Sequence, residues 1–456
     1  DSHYQPFAGV YSTYMIPRTD DKYQMLQMLS DAIKAVYASV FYKDSKAYMA
    51  ATQNLIEQEK MAIVLQEAVG HAHGNRFYPT ISGVARSLNF YPVGDEKPED
   101  GVANIALGLG KYIVDGGVGL RFSPKHPHNI MQMSEPETAL RDTQTRFYAL
   151  NLDTLKYPQL ATDDSFNLWK LPVRDAEEDG VLKYISSTYD PYDQVLLDGF
   201  YPGKSRKVIS FSGVLQHEVF PLAGILDFLL KQGQEEMGRP IEIEFAVNLS
   251  DNRNDEKTGT FYLLQVRPIV DYKDVTEEDT AQIAPEDCLL YSTRALGHGT
   301  IHDVCDVVYV KTASFQASAN QSIAYEIEKL NSRFLQEQRG YILIGPGRWG
   351  SSDPWLGIPV KWPHICNAKV IVESGLENYH IEPSQGTHFF QNLTSFGVGY
   401  FTIYPFLKDG GVFNETFLNK QAAVYESDFL RHVRFEHPLA VKIDGKKNVG
   451  MVGKPE

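Results

Sequence analysis

Apolar positions recur at spacings of three and four between residues 22 and 41, where Leu26, Leu29, Ile33, Val36 and Val40 form one stripe. That period predicts an amphipathic helix. Asp20 and Asp21 stand at its start, where carboxylates suit the helix dipole. The pattern then shortens. AIVLQEAV at 62–69 is a continuous apolar run and predicts a buried strand, the stretch from His71 to Arg76 a turn, and ISGVARSLNF at 81–90 a further strand. A strand-like or turn segment precedes GLGKYIVDGG at 108–117. A second helix is expected over 215–233, with Phe220, Leu222, Ile225, Phe228 and Leu229 as its apolar positions. Strands 240–248 and 260–268 flank the polar loop SDNRNDEKTGT, which is a hairpin signature. The acidic stretch DVTEEDTAQIAPED at 274–287 predicts a linker, and 288–456 a second globular unit.

The hairpin gathers chemistry. Side chains alternate along a strand, so in PIEIEFAVN Glu242 and Glu244 share one face, and in FYLLQVRPI Gln265 and Arg267 share one. Symmetric closure places Glu244 opposite Gln265 and Glu242 opposite Arg267 on a single surface. Magnesium takes oxygen ligands of the kind Glu and Gln supply. Arg267 has the planar fork that bridges phosphate oxygens. Alternation alone favours a plain surface hairpin with a cross-strand salt bridge.

Bulk properties narrow the classes. A chain of 456 residues fits two or three domains, and 43% hydrophobic residues allow a sizeable core. A net charge of −15 argues against non-specific binding of nucleic acid or anionic membrane. Cys288, Cys305 and Cys366 have no CxxC spacing, which fits a reducing compartment and carries no zinc signature. Neither a membrane-length apolar run nor a signal peptide is present in the sequence, so a cytoplasmic location is expected. His71, His73, His126 and His128 form two HxH pairs, read as surface turns in the absence of a third ligand at a telling spacing. The first residue is Asp1, and the chain reads as part of something longer.

EIEFAV followed by FYLLQVRPI resembles the end of the ATP-grasp domain in the phosphoenolpyruvate synthase and pyruvate phosphate dikinase family. The resemblance implies that Glu244 and Gln265 hold magnesium and that Arg267 contacts the phosphates, with Glu242 replacing a usual aspartate. Other segments are similar to the family's, in its order: DSHYQPFAGVYSTYM at 1–15, AIKAVYASVFYKDSKAYM at 32–49, AIVLQEAV at 62–69, SGVARSLNF at 82–90 and GLGKYIVDGG at 108–117. The third lines the adenine pocket in the family, which implies nucleotide contacts from Gln66, Glu67 and Val69. The likeness covers about residues 1–270. Lys111 stands where the family usually has Glu, and Ser87 and Leu88 also depart. The family's phosphate-contacting Arg and Lys belong to a half that would precede Asp1, so weak or no ATP binding is expected of this chain alone.

In the second unit, YILIGPGRWGSSDPWLGIPVKWPHICNAKVIVE at 341–373 reads as strand, Gly-rich loop, helix or turn, and strand. Gly345, Gly347, Gly350 and Arg348 fit either a phosphate cradle or a structural turn. A fainter likeness to the family's swivelling phosphohistidine domain rests on Asp353, Pro354 and Trp355, on NAKVIVE, and on GTHFF at 386–390. It would make His388 the phosphoryl carrier. Phe389 and Phe390 stand where that domain has alanines, and a core or capping histidine is the other reading.

The expectations are therefore an α+β chain. Residues 1–273 form a partial ATP-grasp domain with an antiparallel sheet and flanking helices, 274–287 a linker, and 288–456 an α/β domain. The expected function is ATP- and Mg2+-dependent phosphoryl transfer. Arg267 and His388 are the catalytic candidates, and pyruvate or another small acceptor is the partner. The alternatives are an inactive nucleotide-binding or scaffold module and a different ATP-grasp product such as a phosphorylated glucan.

Overall fold

The computed structural model describes residues 11–43, 45–46, 49, 61–90, 92–153, 165–203, 205–249, 259–269, 284–297, 299–351, 353, 355–379, 381, 383, 398–444 and 447–455. The chain divides into two compact units. One comprises residues 11–41 and 60–269, the other 1–10, 42–59 and 270–456. The mixed α+β class read from the sequence is seen, with several antiparallel sheets and few helices. Among the described residues no helix is long and apolar enough to cross a membrane.

The first unit is built on a five-stranded antiparallel sheet. Its strands are β1 (Ile81–Arg86), β2 (Val102–Ala106), β3 (Leu120–Phe122), β4 (Ile241–Leu249) and β5 (Gly259–Pro268), in the order β5-β4-β1-β2-β3. One core joins Ile81, Ala85, Ile105, Phe122, Ile241, Ile243 and Val247 of the sheet to Leu222, Leu226 and Leu230 of a helix. That helix spans Leu222–Met237, seven residues later than the periodicity suggested at its start. Pro221 occupies the N-cap position and cannot continue an upstream helix. Phe228, expected on its apolar face, is exposed. Gly233 lets helix and sheet approach, since a Cβ there would lie 2.3 Å from Ile241 Cδ1.

The N-terminal helix α1 (Lys22–Ser39) forms where its period placed it, but its buried face is turned from the predicted stripe. Met28, Ala35 and Ser39 are buried; of the predicted stripe Val40 is buried, Leu29, Ile33 and Val36 are half-buried and Leu26 is 66% exposed. Ser39 tolerates burial because its hydroxyl donates to the Val36 carbonyl at 2.7 Å and accepts from Ser12 N at 3.2 Å. Asp21 is the N-cap, accepting from Tyr23 N at 2.9 Å and Gln24 N at 3.2 Å. Asp21→Ala should cost about 1 kcal/mol of stability in a urea melt.

The expected strand at 62–69 does not form. The segment pairs with no strand among the described residues and is mostly exposed. A short apolar run carries no partner of its own, and the edge beside it is met through one side chain rather than a ladder.

The second unit holds a seven-stranded sheet whose centre is parallel. Strands β6 (Val304–Val310), β7 (Gly340–Pro346), β8 (Ala368–Ser374) and β9 (Gly399–Ile403) lie side by side, all parallel. β10 (Leu430–Arg434) runs antiparallel beside β6. The helix Asn320–Glu337 connects β6 to β7. Buried parallel strands read as continuous apolar runs, as VVYV, YILI and VIV do here. A five-stranded antiparallel sheet, including Cys288–Ser292 and Val449–Gly453, shares its core through Leu290, Val452 and Phe401. Gly347, in the Gly-rich loop after β7, has φ +71°, and a Cβ there would meet the Tyr379 ring at 2.6 Å. Residues 274–283 of the acidic stretch, and His388 with its GTHFF segment, lie outside the described residues.

Candidate functional site

The β4–β5 register is the one that alternation implied: Glu242 pairs with Arg267 and Glu244 with Gln265. A register shift follows directly, between Glu244 and Phe245, of the kind that re-aims side chains at functional edges. The four side chains do not, however, lie together on an open surface. Glu242 is 2% exposed, while Glu244 is 27% exposed at the rim. On its other side Glu242 faces Arg86 of β1, an arginine 4% exposed. Arg86 Nε donates to Glu242 Oε2 at 2.6 Å. Arg267 Nε lies 3.2 Å from Glu242 Oε1, and Arg267 Nη2 pairs with Glu244 and lies 3.4 Å from Gln265 Oε1.

Three strands thus carry the row Arg86, Glu242, Arg267, with Glu244 and Gln265 at its solvent end. Arg86 was not singled out by sequence reasoning. Its signal is a lone charge closing the buried run ISGVAR, a position that demands an interior partner. Burial pushes the Glu244 carboxyl above its ordinary range; Arg267 opposes that shift and the nearby Glu242 reinforces it.

Gln66 is brought to this edge. Its Nε2 donates to the Leu264 carbonyl of β5 at 3.2 Å, one residue before Gln265. Glu67 points elsewhere, 3.6 Å from Arg18 with both side chains almost fully exposed, and Val69 is half-buried. Lys111 lies 3.5 Å from Asp115. The HxH pairs stay separate: the His73 ring lies tilted against Tyr78 with centres 5.0 Å apart and burial lowering its pKa, and His126 lies 3.3 Å from Asp100. Among the described residues no three His, Cys, Asp or Glu side chains group as a metal site. Magnesium bound with a nucleotide needs only one or two carboxylates, the phosphates supplying further oxygens. The oxygen donors Glu244 and Gln265 fit that demand, and a raised Glu244 carboxyl is the kind of group a cation stabilises.

A family model described as pyruvate phosphate dikinase, AMP/ATP-binding domain, matches residues 1–287. The match covers more than half of the chain and defines a nucleotide-binding member of a phosphotransferase family. The chain belongs to the pyruvate phosphate dikinase AMP/ATP-binding domain family. No curated protein matches it.

Proposed function

We propose that this chain serves ATP-dependent phosphoryl transfer and that the β4–β5 edge faces the magnesium-bound phosphates of the nucleotide. The observation that carries the reading is the Arg267 fork held between Glu242 and Glu244, beside the Gln265 amide, within the family's AMP/ATP-binding domain. Bound there, magnesium supplies charge neutralisation for the phosphates. The chain's own residues divide the work. Glu244 and Gln265 offer oxygen ligands, Arg267 offers a bidentate donor to phosphate, and Glu242 with Arg86 fixes Arg267 from behind. Gln66, which reaches the same edge, is the proposed contact to the adenine. Pyruvate or another small acceptor completes the proposed reaction. A non-catalytic nucleotide-binding role is the second reading, favoured by Lys111 in place of the usual glutamate and turned toward Asp115.

The test uses the full-length protein. Arg267→Met is expected to weaken Mg-ATP binding by about 10- to 100-fold in calorimetry, and β-labelled ATP is expected to label protein histidine with release of AMP. Binding without label or AMP leaves only the non-catalytic reading, and wild-type affinity in Arg267→Met removes the site.

A further inference from the structure

The carboxyl end of the parallel sheet in the second unit carries a polar row that the nucleotide reading does not use. Glu373 of β8 pairs in register with Thr402 of β9, and Thr402 N donates to the Arg294 carbonyl at 3.0 Å. Residues paired this way share a face. Glu373 is engaged, accepting from Trp349 N at 3.0 Å. Thr402 is different: its hydroxyl is buried and has no hydrogen-bond partner. A buried hydroxyl without a partner costs free energy and marks a place where an acceptor or donor is owed.

Thr402 borders a cleft of about 250 Å³, lined also by Thr293, Arg294, Tyr404, Lys408 and Asp409. The Arg294 guanidinium rests 5.5 Å from the centre of the Tyr404 ring, which positions it without neutralising it. Among the described residues neither Arg294 nor Lys408 forms an ion pair, although the chain as a whole is acidic at −15. The loop bearing Lys408 and Asp409 is held in shape by Gly410, where a Cβ would lie 1.8 Å from the Tyr404 carbonyl oxygen. Leu407 N donates to that same carbonyl at 2.9 Å. Open parallel sheets bind ligands in crevices outside the carboxyl ends of their strands, and this cleft stands at that end of β9.

We propose that this cleft binds a small phosphate monoester. Arg294, Lys408 and the threonine hydroxyls supply donors of three kinds, matching the three terminal oxygens of a phosphate better than the two of a carboxylate. Asp409 accepts from a hydroxyl on the organic portion, which separates a monoester from inorganic phosphate. This assignment stands independently of the nucleotide site.

Calorimetry on the full chain with glycerol 3-phosphate, inorganic phosphate and glycerate at constant ionic strength tests it. Glycerol 3-phosphate is expected to bind saturably and about tenfold more tightly than glycerate. Arg294→Gln and Lys408→Gln should each weaken it about tenfold with melting temperatures unchanged, and Thr402→Val about threefold with a melting temperature no lower than the wild type's. Asp409→Asn should erase its advantage over inorganic phosphate. Arg267→Met should leave it intact. Absence of saturable binding, indifference to all the cleft variants, loss with Arg267→Met, or equal affinity for inorganic phosphate in the wild type would each overturn the proposal.

Discussion

Asp306→Asn is expected to destabilise the second unit by about 3 kcal/mol or more. Asp306 is fully buried, and three cationic or ionisable side chains converge on it. His432 Nε2 lies 2.7 Å and Arg434 Nε 2.6 Å from Oδ1, and Arg339 Nε lies 2.8 Å from Oδ2. Asparagine keeps the shape but removes the charge, leaving two guanidiniums without their shared counter-ion. Arg434 also holds Glu337 at 2.7 Å, so the loss reaches the end of the Asn320–Glu337 helix. These hydrogen bonds hold the Asp306 carboxyl at about 2, against burial that pushes it up. A carboxyl depressed in the folded state stabilises above its ordinary value and loses that contribution as pH falls. The window here runs from about pH 4 down to about pH 2, and the contribution is about 2 kcal/mol. Three of the four tryptophans, Trp349, Trp355 and Trp362, lie in this unit and Trp169 in the other, so tryptophan fluorescence weights the urea melt toward this unit. The wild type should lose stability across that window while Asp306→Asn, already weak at pH 7, should show a flatter profile. Equal midpoints at pH 7 would show the cluster to be idle.

The second large effect separates two glutamates only two residues apart. Glu242→Gln should cost the first unit about 3 kcal/mol or more, because the buried Arg86 guanidinium loses the carboxylate it faces at 2.6 Å. Glu244→Gln should do the opposite. Its carboxyl is raised by burial, so its stabilising share is present at low pH and fades as pH rises through the raised value. At neutral pH the ionised form is a liability of the folded state, and the amide relieves it. We expect a higher melting temperature for Glu244→Gln together with loss of the magnesium-dependent part of ATP binding. A residue that costs stability and is kept for its ligand is a common signature of a binding site. If Glu244→Gln melts as low as Glu242→Gln, or binds ATP with unchanged magnesium dependence, Glu244 is a structural partner of Arg267 and nothing more.

Local patterning set the elements that depend on period alone. The alternation of EIEFAV and LLQVR put Glu242 against Arg267 and Glu244 against Gln265, because a strand of period two has no other way to arrange them once the hairpin closes. The start of α1 at Asp21 was likewise legible, since a carboxylate before a helical period caps free N–H groups. What the sequence could not carry is which element meets which. Arg86 reaches Glu242 across 156 residues of chain, and only that meeting turns a surface pair into a buried row with one outward glutamate. The run at 62–69 looks like a strand by composition, yet a strand exists only where a ladder accepts its N–H and C=O groups, and among the described residues it pairs with none, meeting the β5 edge only through Gln66. Asp306 collects partners from positions 339, 432 and 434, and the cleft brings Arg294 to Thr402 and Lys408 from over a hundred residues away. Period is a property of neighbours along the chain; charge pairing and cavities belong to residues brought together only by the packing of sheets.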